Sequence, residues 1–142
     1  MTKVNSEMIP PEIAPLIRDT EPEDTSALID LARMTNVFKP HEIIALSEVL
    51  NDYHAKERDN GHRCITYSQD DQPLGFAYYA PASMTDRGWY LYWIAVEKGR
   101  QVQGIGSALL AKAEEEIRQR RGRLLLIETS SLRTTNQRGD SI

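Results

Sequence analysis

Cysteine is almost missing: Cys64 stands alone among 142 residues. That excludes an internal disulfide framework and suits a reducing compartment. Within the apolar run Cys64-Ile65-Thr66-Tyr67 it reads as a small buried strand residue, and no histidine motif accompanies it to make a nucleophile. Histidine is scarce too. His41, His54 and His62 do not fall at metal-ligand spacing, and no Cys or carboxylate cluster joins them. All three read as helix-surface or turn residues, and no metal is expected. The N-terminus has no basic region leading into an apolar stretch, so no signal peptide is read. No apolar run reaches the roughly 18 residues of a membrane span. The cytoplasm is the expected compartment. Positive charge is not in excess either: 17 Lys and Arg against 21 Asp and Glu leave a net charge of −4. The basic residues form no stripe interleaved with aromatics, so nucleic acid is not expected as a partner.

What is present is ordinary in bulk and specific in one place. Hydrophobic content of 40% and charged content of 27% fit one soluble globular domain. The specific place is Leu91 to Leu110. An apolar and aromatic run suited to a buried strand leads into a polar turn, then into Gly104 and Gly106, then into a helix-forming segment. Strand, glycine turn and helix N-terminus together make a place to hold phosphate. Glycines let backbone N–H groups approach an anion, and the first N–H groups of a helix have no partner within it. Spacing narrows the ligand. A dinucleotide fingerprint needs Gly or Ala where Leu109 stands, and no Gly-Lys-Ser/Thr completes a P-loop.

The remaining pattern, Gln101-Val102-Gln103-Gly104-Ile105-Gly106, is a Q-x-x-G-x-G directly after a strand. It resembles the acetyl-CoA signature of the GCN5-related N-acetyltransferase (GNAT) superfamily, over about residues 15–131. The resemblance implies a mixed-sheet α/β fold ordered strand, two helices, three strands, helix, strand, and acetyl transfer from acetyl-CoA to a primary amine. It implies that backbone N–H groups of Val102, Gln103, Gly104, Ile105, Gly106 and Ser107 hold the pyrophosphate while Gln101 fixes the turn. It also implies that backbone groups of Ile94, Ala95 and Val96 pair with the pantetheine arm, with an N–H near Ile94 polarising the thioester carbonyl. Some relatives carry a basic glutamate on the fourth strand, but 89–96 has no carboxylate. Glu128 and Glu97 are the candidates left, and each also reads as a strand-end surface charge. The catalytic base is unassigned.

In chain order, residues 1–14 read as an irregular leader and 15–131 as the domain. Leu16-Ile17-Arg18-Asp19 reads as a short strand. Ala27, Leu28, Leu31 and Met34 mark one face of a first helix ending near Thr35. Pro40 starts a second helix with Ile43, Leu46, Leu50 and Tyr53 on one face, ended by Asn60-Gly61. Phe38, between these helices, is either a core staple or an acceptor contact. His62–Tyr67 and Leu74–Ala80 form a hairpin across a polar turn. Strict alternation in the next strand puts Trp89, Leu91 and Trp93 on one face and Tyr90, Tyr92 and Ile94 on the other. The helix from Gly104 buries Ile105, Leu109, Ala113 and Ile117 and runs to Arg121. Its Glu114–Arg118 and Glu116–Arg120 pairs are read as a solvated face, and Gly122 as the helix stop. Arg123–Thr129 is expected as a strand parallel to the earlier one.

Residues 132–142 are polar and aperiodic. Against the family pattern, a further helix and strands are missing, and with them a tyrosine that protonates the departing thiolate. The expectation is a chain truncated after its fifth strand, whose exposed edge is covered by a second copy in a homodimer. The alternative function is an impaired remnant that binds CoA or serves as an interaction module. The acceptor, a small amine or a peptide, is left open.

Overall fold

The computed structural model describes residues 16–82, 87–100 and 103–127, and of 125–127 the backbone alone. Pro22 and Pro40 each open a helical segment, where a fixed φ and a missing N–H are no handicap. Pro22–Asp24 is one 3-10 turn that continues into α1, Thr25–Thr35. Pro40–Ala55 is α2, whose first turn is closed by the Lys39 N–H donating to Glu42 Oε1 at 2.8 Å. Five strands make the sheet: β1 Leu16–Asp19, β2 Arg63–Gln69, β3 Gln72–Pro81, β4 Gly88–Val96 and β5 Arg123–Ile127. Between the last two lies α3, Ile105–Gln119. The spatial order is β1-β2-β3-β4-β5, antiparallel throughout except for the parallel β4–β5 pair. This is the mixed α/β order expected from the sequence.

The sheet separates two cores. On one face α3 buries Ile105, Leu109, Ala113 and Ile117 against Ile65, Ala77, Tyr79, Trp89 and Leu91. On the other, α1 and α2 bury Leu28, Leu31, Leu46, Leu50 and Tyr53 against Cys64, Phe76, Tyr78 and Ala95. Met34 was expected in that face but is 61% exposed; Ala32 takes the inward position in the last turn of α1. Cys64 is fully buried, and burial pushes its thiol up to about 12. That agrees with an inert strand residue.

Several elements differ from the sequence reading in instructive ways. The polar turn of the hairpin is only Asp70-Asp71, both at positive φ (56° and 65°), so β2 and β3 run on to pair Gln69 with Gln72. Two left-handed residues in a row make the tight turn whose twist matches the strands. The second helix stops at Ala55, and a 3-10 turn over Glu57–Asn60 leads to Gly61 at φ 96°. Two histidines are not plain surface residues. His62 Nδ1 and the buried Tyr78 hydroxyl share a hydrogen bond of 2.6 Å, and burial raises the Tyr78 phenol. His54 is half-buried with neither ring nitrogen hydrogen-bonded, and burial lowers its imidazole. His41 is exposed.

Glu116 also departs from its expected place. It turns inward to the sheet instead of pairing with Arg120 on a solvated face. Arg63 Nε donates to Glu116 Oε1 at 3.1 Å, Arg63 Nη2 donates to Asp19 Oδ1 at 2.6 Å, and the Tyr79 hydroxyl donates to Glu116 Oε1. Helix α3 is thereby tied to β1, β2 and β3 by one cluster of charges.

Candidate active site

Strand β4 changes phase midway. Tyr78 of β3 pairs with Trp93, but its neighbour Tyr79 pairs with Leu91, so Tyr92 is an extra residue in β4. A bulge of this kind bends the strand and shifts the alternation by one. Trp89 and Leu91 face α3 before it, and Ile94 and Val96 face α3 after it. Tyr92 and Trp93 both pack toward α1 and α2. The expected grouping of Trp89, Leu91 and Trp93 on one face, with Ile94 opposite, is corrected by this single inserted residue.

Before the bulge β4 pairs with β5. The parallel ladder runs Gly88↔Arg123, Trp89↔Leu124, Tyr90↔Leu126 and Leu91↔Ile127. The register to β5 is described as far as Leu91↔Ile127. Ile94, Ala95 and Val96 keep their ladder to β3 and bury their side chains.

The chain leaves β4 through a short turn. The Glu97 N–H donates to the Leu74 carbonyl at 2.8 Å and the Arg100 N–H to the Glu97 carbonyl at 3.0 Å, with Gly99 at φ 91°. Gly104, at φ 82°, is the N-cap of α3. It has no side chain to cap the first turn, so the N–H groups of Ile105, Gly106 and Ser107 have no partner within the helix. A Cβ built on Gly104 would meet no described atom within 4 Å. Gly106 lies over Val96, whose Cγ2 would be 3.6 Å from an added Cβ. The helix end is thus set directly beside the last residue of β4.

What holds it there is Gly75 on β3, which the sequence reading passed over as an ordinary strand residue. A Cβ at Gly75 would lie 3.0 Å from the Ala95 carbonyl oxygen and 3.1 Å from both Ile105 Cγ2 and Leu109 Cδ1. The first two turns of α3 rest on bare backbone. Gly75→Ala is expected to lift that end of the helix and cost about 1–3 kcal/mol, the usual range for overpacking. Urea unfolding measures the cost, and an unchanged midpoint would refute the close seat.

Of the base candidates, Glu97 is 45% exposed and pairs with Arg100 Nε at 3.1 Å, an ordinary surface contact. Glu128, Gln101 and Val102 lie outside the described residues. Phe38 is buried, its ring 5.6 Å from that of Trp93. Among the described residues no group of three His, Cys, Asp or Glu is placed to hold a metal ion, and no helix is long and apolar enough to cross a membrane.

This arrangement of strand, glycine turn and helix finds a match among known proteins. The family model of the acetyltransferase (GNAT) family matches residues 26–138. The chain belongs to the GNAT family. Among solved structures, a GNAT-family protein from Desulfovibrio desulfuricans is similar at 30% identity and a TM-score of 0.75, over 80% of this chain and 72% of that one. The GNAT fold is shared at lower identity with two further enzymes. The PaiA N-acetyltransferase of Thermoplasma acidophilum, in complex with coenzyme A, is 18% identical with a TM-score of 0.61, over 75% and 74% of the two chains. A GNAT acetyltransferase of Brucella melitensis, in complex with acetyl-CoA, is 17% identical with a TM-score of 0.62, over 80% and 75%. No curated protein matches the chain significantly by sequence. Acetyl transfer from acetyl-CoA to an amine is the general GNAT reaction.

Proposed function

We propose that this GNAT chain transfers the acetyl group of acetyl-CoA to a primary amine. The observation that carries the reading is the uncapped helix end at Gly104, with Gly106 set against Val96 at the end of β4. Uncapped N–H groups of Ile105, Gly106 and Ser107, aided by the helix dipole, suit a pyrophosphate. Gln103 and Gly104 complete the described part of the turn, with Gln101 and Val102 proposed for the remainder. Backbone N–H and C=O groups of Ile94, Ala95 and Val96 suit the amides of a pantetheine arm laid along the strand as a pseudo-partner. An N–H near Ile94 would polarise the thioester carbonyl.

Acetyl-CoA supplies an activated acyl carbon and a thiolate leaving group. The amine nitrogen forms the C–N bond, the C–S bond breaks, and the proton lost by nitrogen balances the one gained by sulfur. A lysine-like amine titrates near ~10.4, so it must shed its proton before attack. Glu128, through water, is the candidate base that the reading retains.

A thermal melt with and without acetyl-CoA, on material checked by size exclusion, tests the reading. At a ligand concentration of about 100 times Kd the native state gains about 2.7 kcal/mol, and the melting temperature is expected to climb by several degrees as acetyl-CoA is added. A transition indifferent to acetyl-CoA would overturn the proposed site.

A further inference from the structure

Arginines gather at the corner where α3 ends and β4 and β5 begin: Arg87, Arg118, Arg120, Arg121 and Arg123. All of them are exposed. The backbone fixes them on one rim. The Arg121 N–H donates to the Arg118 carbonyl at 2.9 Å, the Gly122 N–H to the Ile117 carbonyl at 2.8 Å, and the Arg123 N–H to the Arg87 carbonyl at 3.0 Å. Gly122, seated against the ring of Trp89, leaves the chain little room to shift between them. Among the described residues no ion pair engages Arg118, Arg120, Arg121 or Arg123. Arg120 acts on Glu116 only through its charge.

Neither helix nor core accounts for the set. A helix C-terminus favours cations, but only in its last turn. That suits Arg118 and Arg120; it does not reach Arg87 and Arg123, which stand at strand entries. Arg121 closes the end of α3 at φ 62°, and Arg87 leads into β4 at φ 67°. This left-handed region favours glycine, and a residue with a long side chain is held there at a cost. An exposed arginine kept at a glycine-like position, twice on one rim, is the kind of outlier from which a function is inferred.

The rim is also out of keeping with the chain's charge. The net charge is −4 with these arginines counted, so the rest of the chain is more acidic still. A long polyanion such as a nucleic acid would overrun the rim onto like charge. Trp89, the ring beneath the rim, is buried and cannot stack a base. The planar guanidinium fork takes a carboxylate at two points. We propose that this rim docks a short acidic segment of a partner protein, a run of Asp or Glu side chains. It lies at the far end of α3 from Gly104, about 22 Å away for a helix of 15 residues. Docking there is separate from the acetyl-CoA site and goes beyond the acetyltransferase reading.

The test titrates the full chain into fluorescein-labelled octaglutamate and follows anisotropy, with octaglutamine and a short DNA duplex as comparators. The expected result is saturable binding of octaglutamate, at least about tenfold tighter than octaglutamine and weakening as salt rises. Arg121→Gly is the decisive variant. Glycine suits φ 62°, so the melting temperature should hold or rise while affinity for octaglutamate falls about tenfold. A merely structural arginine would not separate the two readouts. Arg118→Gln, within the helix, should lose a similar factor, and Arg33→Gln on α1 should lose none. Binding that is indifferent to salt, equalled by octaglutamine, or kept in Arg121→Gly and Arg118→Gln would overturn the proposal. So would an equal loss in Arg33→Gln, or tighter binding of the DNA duplex, which would make the rim a nucleic-acid contact. The melting shift with acetyl-CoA is read separately, so failure here is distinct from failure of the acetyltransferase reading.

Discussion

Gly122→Ala is expected to destabilise the protein by about 3 kcal/mol, the upper end of what overpacking costs. A Cβ there would lie 2.4 Å from Nε1 and 2.5 Å from Cδ1 of Trp89, and 3.0 Å from the Arg87 carbonyl oxygen. None of these can give easily. Trp89 is 6% exposed and its ring packs on that of Tyr79 at 6.1 Å. The Arg87 carbonyl accepts the Arg123 N–H at 3.0 Å, at the start of the β4–β5 ladder. Chemical unfolding of the single variant, beside the double variant Trp89→Leu/Gly122→Ala, checks the cause. If the clash is the cause, the two changes are strongly non-additive, because a smaller residue at 89 removes what the new methyl strikes. A single variant within about 0.5 kcal/mol of wild type, the range of a neutral surface change, would refute the clash.

Arg63→Met is expected to cost about 3–5 kcal/mol near neutral pH, as for a buried pair stripped of one partner. The side chains of Arg63 and Glu116 are 15% and 14% exposed. Burial alone pushes the Glu116 carboxyl up, but hydrogen bonds from Arg63 and Tyr79, with the Arg63 charge, bring it below its ordinary 4.5. Burial likewise disfavours the Arg63 cation, and the bonds to Glu116 and Asp19 more than reverse that. The phenol of Tyr79 is raised by burial and by the carboxylate beside it. The sign for pH follows from the lowered carboxyl. Its contribution is complete above about pH 4.5 and is lost as pH falls through the lower folded-state value. Asp24, lowered by its bond to Arg18 against the opposing effect of burial, titrates in the same sense. Wild-type melting temperature is therefore expected to stay level from pH 7 to about 5 and to fall below about 4.5. In Arg63→Met the carboxyl loses its cation and rises above its ordinary value. The deficit relative to wild type should then shrink as pH is lowered and Glu116 takes up a proton. A deficit that holds constant with pH would place the loss in packing alone.

Features repeated along the chain were readable from sequence. Spacing at 43, 46, 50 and 53 marked the buried face of α2, and spacing at 105, 109, 113 and 117 did the same for α3; all eight residues are buried. The parallel β4–β5 pair followed from apolar runs around one helix, and the order of elements from the family resemblance. In the candidate site, Gly104 does stand at the helix entry, at positive φ, with Gly106 against Val96. Features that depend on one extra residue or one distant partner were not readable. Nothing in Tyr90-Leu91-Tyr92-Trp93 announces a bulge, since every residue there favours a strand. Arg63 and Glu116 are 53 positions apart, so their pairing leaves no local signal. Gly122 resembled a helix stop, yet Arg121 takes the left-handed φ, at 62°, and the glycine is there for the ring of Trp89.

The insertion at Tyr92 divides β4 into two halves that obey opposite grammars. In the first half odd positions belong to the interior beneath α3; in the second half even positions do. One chemical change thus carries two meanings. Tryptophan to leucine at 89 empties a core, whereas the same change at 93 acts on the α1–α2 side and leaves the packing under α3 untouched. Deleting Tyr92 would rejoin the halves in one unbroken alternation, with Leu91 and Ile94 still beneath α3 and Trp93 still on the opposite face. A change of ring at 92 or 93 is therefore felt on the α1–α2 side of the sheet and leaves the core under α3 in place.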